Sequence, residues 1–255
     1  MEIIAKSLAK RLGRVAALED VSFEARRGVV ALLGTNGSGK TTLLTIIAGL
    51  RKPTRGMLLL DGREPYKERG WAARYVKAVF EKPRLPFSTT VGEVVRLVNE
   101  LRGCEGSVLD LADIADRPLW RLSSGQAQLL GLYAALACHD GVAVLDEPFN
   151  HLDKARAAQL ARLIEERGGV VFTTHNPVEA ALAEYIVVLD KGRVVWSGSR
   201  REFYSSNIFK VVGNAKGCKR IGEAGVYKVV ECDPARLAQL LAEGSVYAVE
   251  RHGVY

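Results

Sequence analysis

The chain has 255 residues, 48% of them hydrophobic and 25% charged, an ordinary globular composition with enough length to bury a sizeable core. Its longest apolar stretches, such as 28–34 and 142–145, are far shorter than the ~20 residues of a membrane-spanning helix, and Glu2, Lys6 and Lys10 break the N-terminal pattern where a signal peptide would be continuously apolar. The chain is therefore expected to be cytoplasmic and not to cross a bilayer by itself. The formal charge of +7 comes from scattered basic residues, pairs such as Arg200-Arg201 and not runs, without the interleaved aromatics of a single-strand groove. No nucleic-acid partner is expected. Cys104, Cys138, Cys218 and Cys232 lie far apart, with no CxxC and no histidine at ligand spacing, and are expected as reduced thiols without metal.

In chain order, Val21, Phe23 and Ala25 alternate with polar neighbours as a half-buried strand, and Gly28 turns the chain into the fully buried strand 29–33. A glycine-rich loop and a helix over 40–50 follow, closed by Pro53 and Gly56. Helical spacing returns over 90–101 and 108–115. A strand at 142–145, an amphipathic helix over 153–167 and a strand at 170–173 come next. Strands alternating with helices predict a parallel, doubly wound α/β sheet. Beyond about residue 205 the pattern reads strand (209–212), strand (226–232), helix after Asp233-Pro234, and strand (245–250).

Three segments carry chemistry. Gly34-Thr35-Asn36-Gly37-Ser38-Gly39-Lys40-Thr41 fits the GxxxxGK[ST] phosphate loop and sits between a buried strand and a helix, where the pattern must sit to work. Its glycines let backbone N–H groups converge on phosphates, Lys40 reaches the β- and γ-phosphates, Thr41 offers a hydroxyl to Mg²⁺, and Thr42 follows in the same first turn. The strand Val142–Leu145 ends in Asp146-Glu147, so that Asp146 is placed to hold Mg²⁺ and Glu147 to polarise an attacking water. Leu122-Ser123-Ser124-Gly125-Gln126 opens a helical run about 20 residues before those acids.

That last segment resembles the LSGGQ signature of ATP-binding cassette (ABC) proteins, and the resemblance covers roughly residues 1–203. It implies a phosphate-loop NTPase of the ABC type: a mostly parallel central sheet, an N-terminal antiparallel β region and an inserted helical subdomain at about 82–135. Residues 1–204 would form the cassette and 205–255 a small α/β appendage. It implies that Ser123, Ser124, Gly125 and Gln126 act in trans on the nucleotide of a second cassette, and that Asp153, in Asn150-His151-Leu152-Asp153, belongs to the D-loop. His175 stands where the family has its switch histidine, whereas His139, His151 and His252 receive no catalytic role. Three departures are visible. Ser124 replaces the first signature glycine, Glu81 stands at the Q-loop glutamine and so beside Mg²⁺, and Leu12 stands where an aromatic residue commonly stacks on adenine.

The implied function is the ATP-binding and hydrolysing subunit of an ABC transporter, with Mg²⁺ and ATP. It would be peripheral on the inner face of the membrane, bound to a transmembrane permease subunit and paired with a second ABC chain. A soluble ABC ATPase of iron–sulfur cluster assembly is the alternative.

Overall fold

The computed structural model describes residues 1–26, 28–80, 89–103, 109–138, 140–205, 208–224, 227–232, 236, 239–240 and 242–251. The chain begins with a hairpin of β1 (Glu2–Leu12) and β2 (Val15–Arg26). It continues through β3 (Val29–Gly34), α1 (Lys40–Ile47), β4 (Arg55–Leu60), α2 (Arg69–Tyr75) and β5 (Val76–Val79). Strand β4 pairs antiparallel with β1, giving a three-stranded sheet of order β2-β1-β4. The helical region contains α3 (Val91–Arg102) and α4 (Ser124–Leu136), joined through two short 3-10 turns. After it come β6 (Val142–Leu145), α5 (Lys154–Arg167), β7 (Val170–Thr174), the single turn α6 (Pro177–Ala180), β8 (Tyr185–Asp190) and β9 (Arg193–Ser199). Helix α7 (Arg200–Ser205) leads into β10 (Ile208–Gly213), β11 (Lys219–Ala224), β12 (Tyr227–Glu231) and β13 (Val246–Arg251).

The central sheet has the order β5-β6-β7-β3-β8-β9 and is parallel except for the β8–β9 hairpin. Its apolar runs are continuous because both faces are covered. Alternate residues of β3 serve opposite layers: Ala31 and Leu33 pack with the helical region, Val30 and Leu32 with α1 and the N-terminal sheet. Truncating either leucine would cost about 2–5 kcal/mol, because neighbours on both sides are already close-packed. The phosphate loop and the β6 acids both leave this sheet at the C-terminal ends of parallel strands, the edge where open α/β sheets bind ligands.

Local signals explain the helix ends. Thr90 caps α3 by accepting from Glu93 N, while the Glu93 carboxylate accepts from Thr90 N, and Gly103 closes the helix at φ 64°. Asp153 caps α5, and Gly168 ends it. The helix expected up to residue 115 is, in its described part, only the 3-10 turn Ala112–Ile114. Asp110 binds the Ala112 N–H in a local turn, and Pro118 stops further winding.

The C-terminal sheet has the order β11-β12-β10-β13 and is antiparallel throughout. Strand β11 was not anticipated, since its sequence KRIGEA is mostly polar. Its Ile221 nevertheless joins Val229 and Phe203 in the main core, while Phe209, Val211, Val230 and Leu240 form a small core of their own. The helix expected between β12 and β13 lies largely outside the described residues. The reduced-thiol expectation is corrected here: Cys218 and Cys232 form a disulfide, with Cα atoms 4.7 Å apart, and Cys138 is also disulfide-bonded. The pairing of Lys219 with Glu231 brings the first two together across 14 residues of sequence, a consequence of strand register that spacing alone does not show.

Candidate functional site

Between β3 and α1 the chain is held to a glycine path by close approach. A Cβ at Gly34 would lie 2.4 Å from the Leu189 carbonyl, and one at Gly39, at φ 105°, would lie 2.7 Å from the Ala17 carbonyl. Lys40 is buried, and its ammonium donates to the carbonyls of Gly34 at 2.8 Å and Thr35 at 3.1 Å and pairs with Glu147 Oε1 at 3.3 Å. Ser38 points inward, its Oγ buried without a hydrogen-bond partner among the described residues. The loop therefore exposes Asn36, Gly37, Gly39, Lys40, Thr41 and Thr42 to the cleft, while Gly34, Thr35 and Ser38 shape it from behind.

The acids at the end of β6 meet this loop directly. Thr41 Oγ1 lies 3.1 Å from both carboxylate oxygens of Asp146. Burial pushes the Asp146 carboxyl above its ordinary range, and hydrogen bonds from Thr173 and Thr41 pull it back. A hydroxyl and a carboxylate side by side form an all-oxygen donor set that suits a hard ion such as Mg²⁺. Glu147 reaches the other way, its Oε2 3.0 Å from His175 Nδ1. Lys40, Glu147 and His175 thus form a connected chain.

The residues Ser123–Gln126 sit at the start of α4. Ser123 Oγ accepts from Gln126 N at 3.3 Å, and Gln126 Oε1 accepts from Ser123 N at 3.1 Å, a reciprocal cap. The cap uses a lone pair of the Ser123 hydroxyl and leaves its O–H to donate outward, beside the positive end of the α4 dipole. A Cβ at Gly125 would stand 2.6 Å from the His151 carbonyl, so the approach of the loop that carries His151 requires glycine there. Ser124 is exposed. Asp153 serves as the α5 cap, accepting from Arg156 N at 2.9 Å.

The phosphate loop and the β6 acids border a cleft of about 460 Å³, whose lining does not include Ser123–Gln126, Asp153 or His175. Its other wall consists of Val15, Ala16 and Ala17 with Lys191 and Gly192. Leu12 does not line the cleft: it ends β1 and pairs with Val15, which carries the aliphatic surface into the opening instead. Glu81 lies outside the described residues. Lys191-Gly192 reads in sequence only as a hairpin turn, yet Gly192 N donates to the Ser38 carbonyl at 2.9 Å and its own carbonyl accepts from Glu19 N at 2.7 Å, pinning the turn to the loop.

A buried parallel strand entering a glycine loop and helix, with a lysine, a threonine–aspartate pair and a glutamate at one cleft, defines a phosphate-loop nucleoside triphosphatase. A family model described as ABC transporter matches residues 18–150, and the chain belongs to this ATP-binding cassette family. It is 35% identical over 228 residues, 81% of this chain, to the sulfate/thiosulfate import ATP-binding protein CysA of Mesorhizobium japonicum, and spans 66% of that protein's length. The corresponding protein 1 of Rhizobium meliloti is 38% identical over 226 residues, 80% of this chain and 65% of its own. A probable CysA of Chlorella vulgaris is 33% identical and covered over its whole length, against 86% of this chain. Among solved structures, the ATP-binding subunit of an ABC transporter superposes with a TM-score of 0.69 at 27% identity, covering 80% of this chain and 93% of that one. A dimeric bacterial ABC transporter cassette shares the fold, with a TM-score of 0.65 at 24% identity over 78% of this chain and 99% of that one.

Proposed function

We propose that the chain is the ATP-binding and hydrolysing subunit of an ABC transporter, energising a separate permease by closing and reopening a pair of cassettes. The observation that carries this reading is the meeting of Lys40, Thr41, Asp146 and Glu147 in a single cleft, with His175 bonded to Glu147. The loop N–H groups and the α1 N-terminus would hold the phosphates. Thr41 and Asp146 would hold Mg²⁺, which when bound neutralises charge on the β- and γ-phosphates; Glu81 remains the proposed third oxygen donor.

Lys40 is paired with Glu147. A bound γ-phosphate competes for the lysine and releases the carboxylate to orient water. The water oxygen then bonds to the γ-phosphorus as the bridging bond to the β-phosphate breaks, and Glu147 accepts the water's proton while His175 steadies the phosphoryl oxygens. Ser123 to Gln126 of a second cassette would close the site from outside, with Asp153 in the loop between the two sites. The base would rest on Val15 to Ala17, with Leu12 beside Val15.

Among the described residues no helix is long and apolar enough to cross a membrane, which supports attachment to the inner face through a separate permease. Residues 1–204 would form the cassette and 205–255 the appendage. The relatives named for sulfate and thiosulfate import make oxyanion permeases the first partners to test. The deciding experiment is Glu147→Gln: turnover should fall about 10²-fold or more, as expected when a base is lost, with an ATP-bound dimer appearing in size exclusion. Turnover near wild type would overturn the reading.

A further inference from the structure

Glu147 leaves β6 in an unusual way. Its φ is 45°, the left-handed region that a non-glycine residue avoids. That turn swings the carboxylate off the strand direction and toward Lys40 and His175. Such a conformation persists only where its surroundings impose it. Here both polar atoms of the residue's own backbone are gripped by buried side chains from other elements. Thr173 of β7, fully buried, accepts from Glu147 N at 2.8 Å and donates to Asp146 Oδ1 at 2.6 Å. Gln128 of α4, 1% exposed, donates from Nε2 to the Glu147 carbonyl at 2.9 Å, where Asn150 N also arrives at 3.2 Å.

We propose that Thr173 and Gln128 are positioning residues for hydrolysis, holding the Glu147 backbone in the left-handed turn that aims its carboxylate at the reacting phosphate. This rests on the assignment of Glu147 as the catalytic carboxylate. One hydroxyl orients both β6 acids, because it donates to the first side chain and accepts from the second N–H. When Thr41 turns its hydroxyl toward a metal ion, Thr173 is the donor that stays on Asp146. Gln128 has a second consequence. It lies two residues beyond Gln126 on α4, so the element that would close a partner's site is tied by one hydrogen bond to the catalytic residue of its own site.

The test uses the intact chain at saturating Mg²⁺ and ATP, with melting temperature and Mg²⁺-free ATP affinity measured alongside. Thr173→Val keeps the shape and removes both hydrogen bonds. Its kcat should fall about tenfold or more, since ångström-scale misplacement of a reacting group costs up to about 10²-fold, while Mg²⁺-free ATP affinity stays unchanged. Thr173→Ser should restore kcat. Gln128→Met should lower kcat less, about threefold to tenfold, because Asn150 still serves the same carbonyl. Adding Thr173→Val to Glu147→Gln should cost nothing further, since the group being positioned is already disabled. A wild-type kcat in both Thr173→Val and Gln128→Met overturns the proposal, as does an undiminished effect of Thr173→Val in the Glu147→Gln background. If Thr173→Val does not fold, Thr173→Ser and Gln128→Met decide the matter. Retained turnover in Glu147→Gln alone would instead overturn the assignment beneath it.

Discussion

The two ends of the cleft are built by different rules. At the phosphate end the reacting groups are at least partly buried and mutually paired: Lys40 has three partners, Asp146 two hydroxyls, and Glu147 touches Lys40 and His175. At the base end the lining is aliphatic apart from Lys191, and Val15, its largest apolar side chain, is 66% exposed. Charges taken out of water must be satisfied within the protein, so the groups at the phosphate end hold one another in place. Aliphatic surface carries no such requirement, and the base end offers contact area without direction.

Removing the lysine should break the contrast most severely. Lys40→Ala deletes a charge-assisted donor, each such bond being worth about 1.5–3 kcal/mol. ATP affinity should therefore drop by about tenfold to a hundredfold, read by titration with a fluorescent nucleotide. An unchanged affinity would mean that the loop N–H groups alone hold the phosphates. The base end should respond in the opposite sense and more weakly. Val15→Tyr supplies the missing π face and should tighten ATP by about 1 kcal/mol, the lower end of one base–aromatic stack. Leu12→Tyr should gain less, because Leu12 pairs with Val15 but does not itself line the cleft. In the wild type ATP and GTP should bind with similar affinity, and a strong preference would show that polar recognition of the base comes from elsewhere, a second cassette included.

The same contrast explains what was legible in the sequence. The phosphate loop, the β6 acids, His175 and the capped signature helix are local patterns, since each needs a fixed residue type at a fixed spacing on one strand end or helix start. The phosphate loop, the β6 acids and His175 come together in the structure, whereas the signature helix start lies outside the cleft lining and Glu81 outside the described residues. What sequence could not show depends on register or on distance along the chain. Val15 replaces Leu12 in the cleft because the β1–β2 hairpin sets which strand end faces the opening. The Cys218–Cys232 pair follows from the β11–β12 ladder. Thr173 and Gln128 lie 26 and 19 residues from Glu147, and both look like ordinary interior polar residues until the fold brings them to its backbone.

The smallest effect lies just behind the phosphate end. Glu179 is half-buried beside the loop that carries His175, accepting from Thr174 Oγ1 and from Asn176 Nδ2 at 3.3 Å. Burial pushes its carboxyl above the usual range, with the Thr174 and Asn176 hydrogen bonds opposing the rise. Between the ordinary glutamate pKa, about 4.3, and that raised value, the folded chain keeps a proton that the unfolded chain has lost. Stability contributed by this group must therefore fall as pH rises through the window, and level off above it. Other carboxylates add slopes of their own, so the informative quantity is the difference from a variant that cannot titrate. Glu179→Gln changes the hydrogen bond with Asn176, which shifts stability by a constant amount at every pH. It also removes the proton, which changes the slope. The variant's denaturation midpoint relative to wild type should therefore rise with pH across the window and then run parallel. Curves parallel throughout would mean that the two hydrogen bonds fully offset burial, and that the support beneath His175 is charged at every working pH.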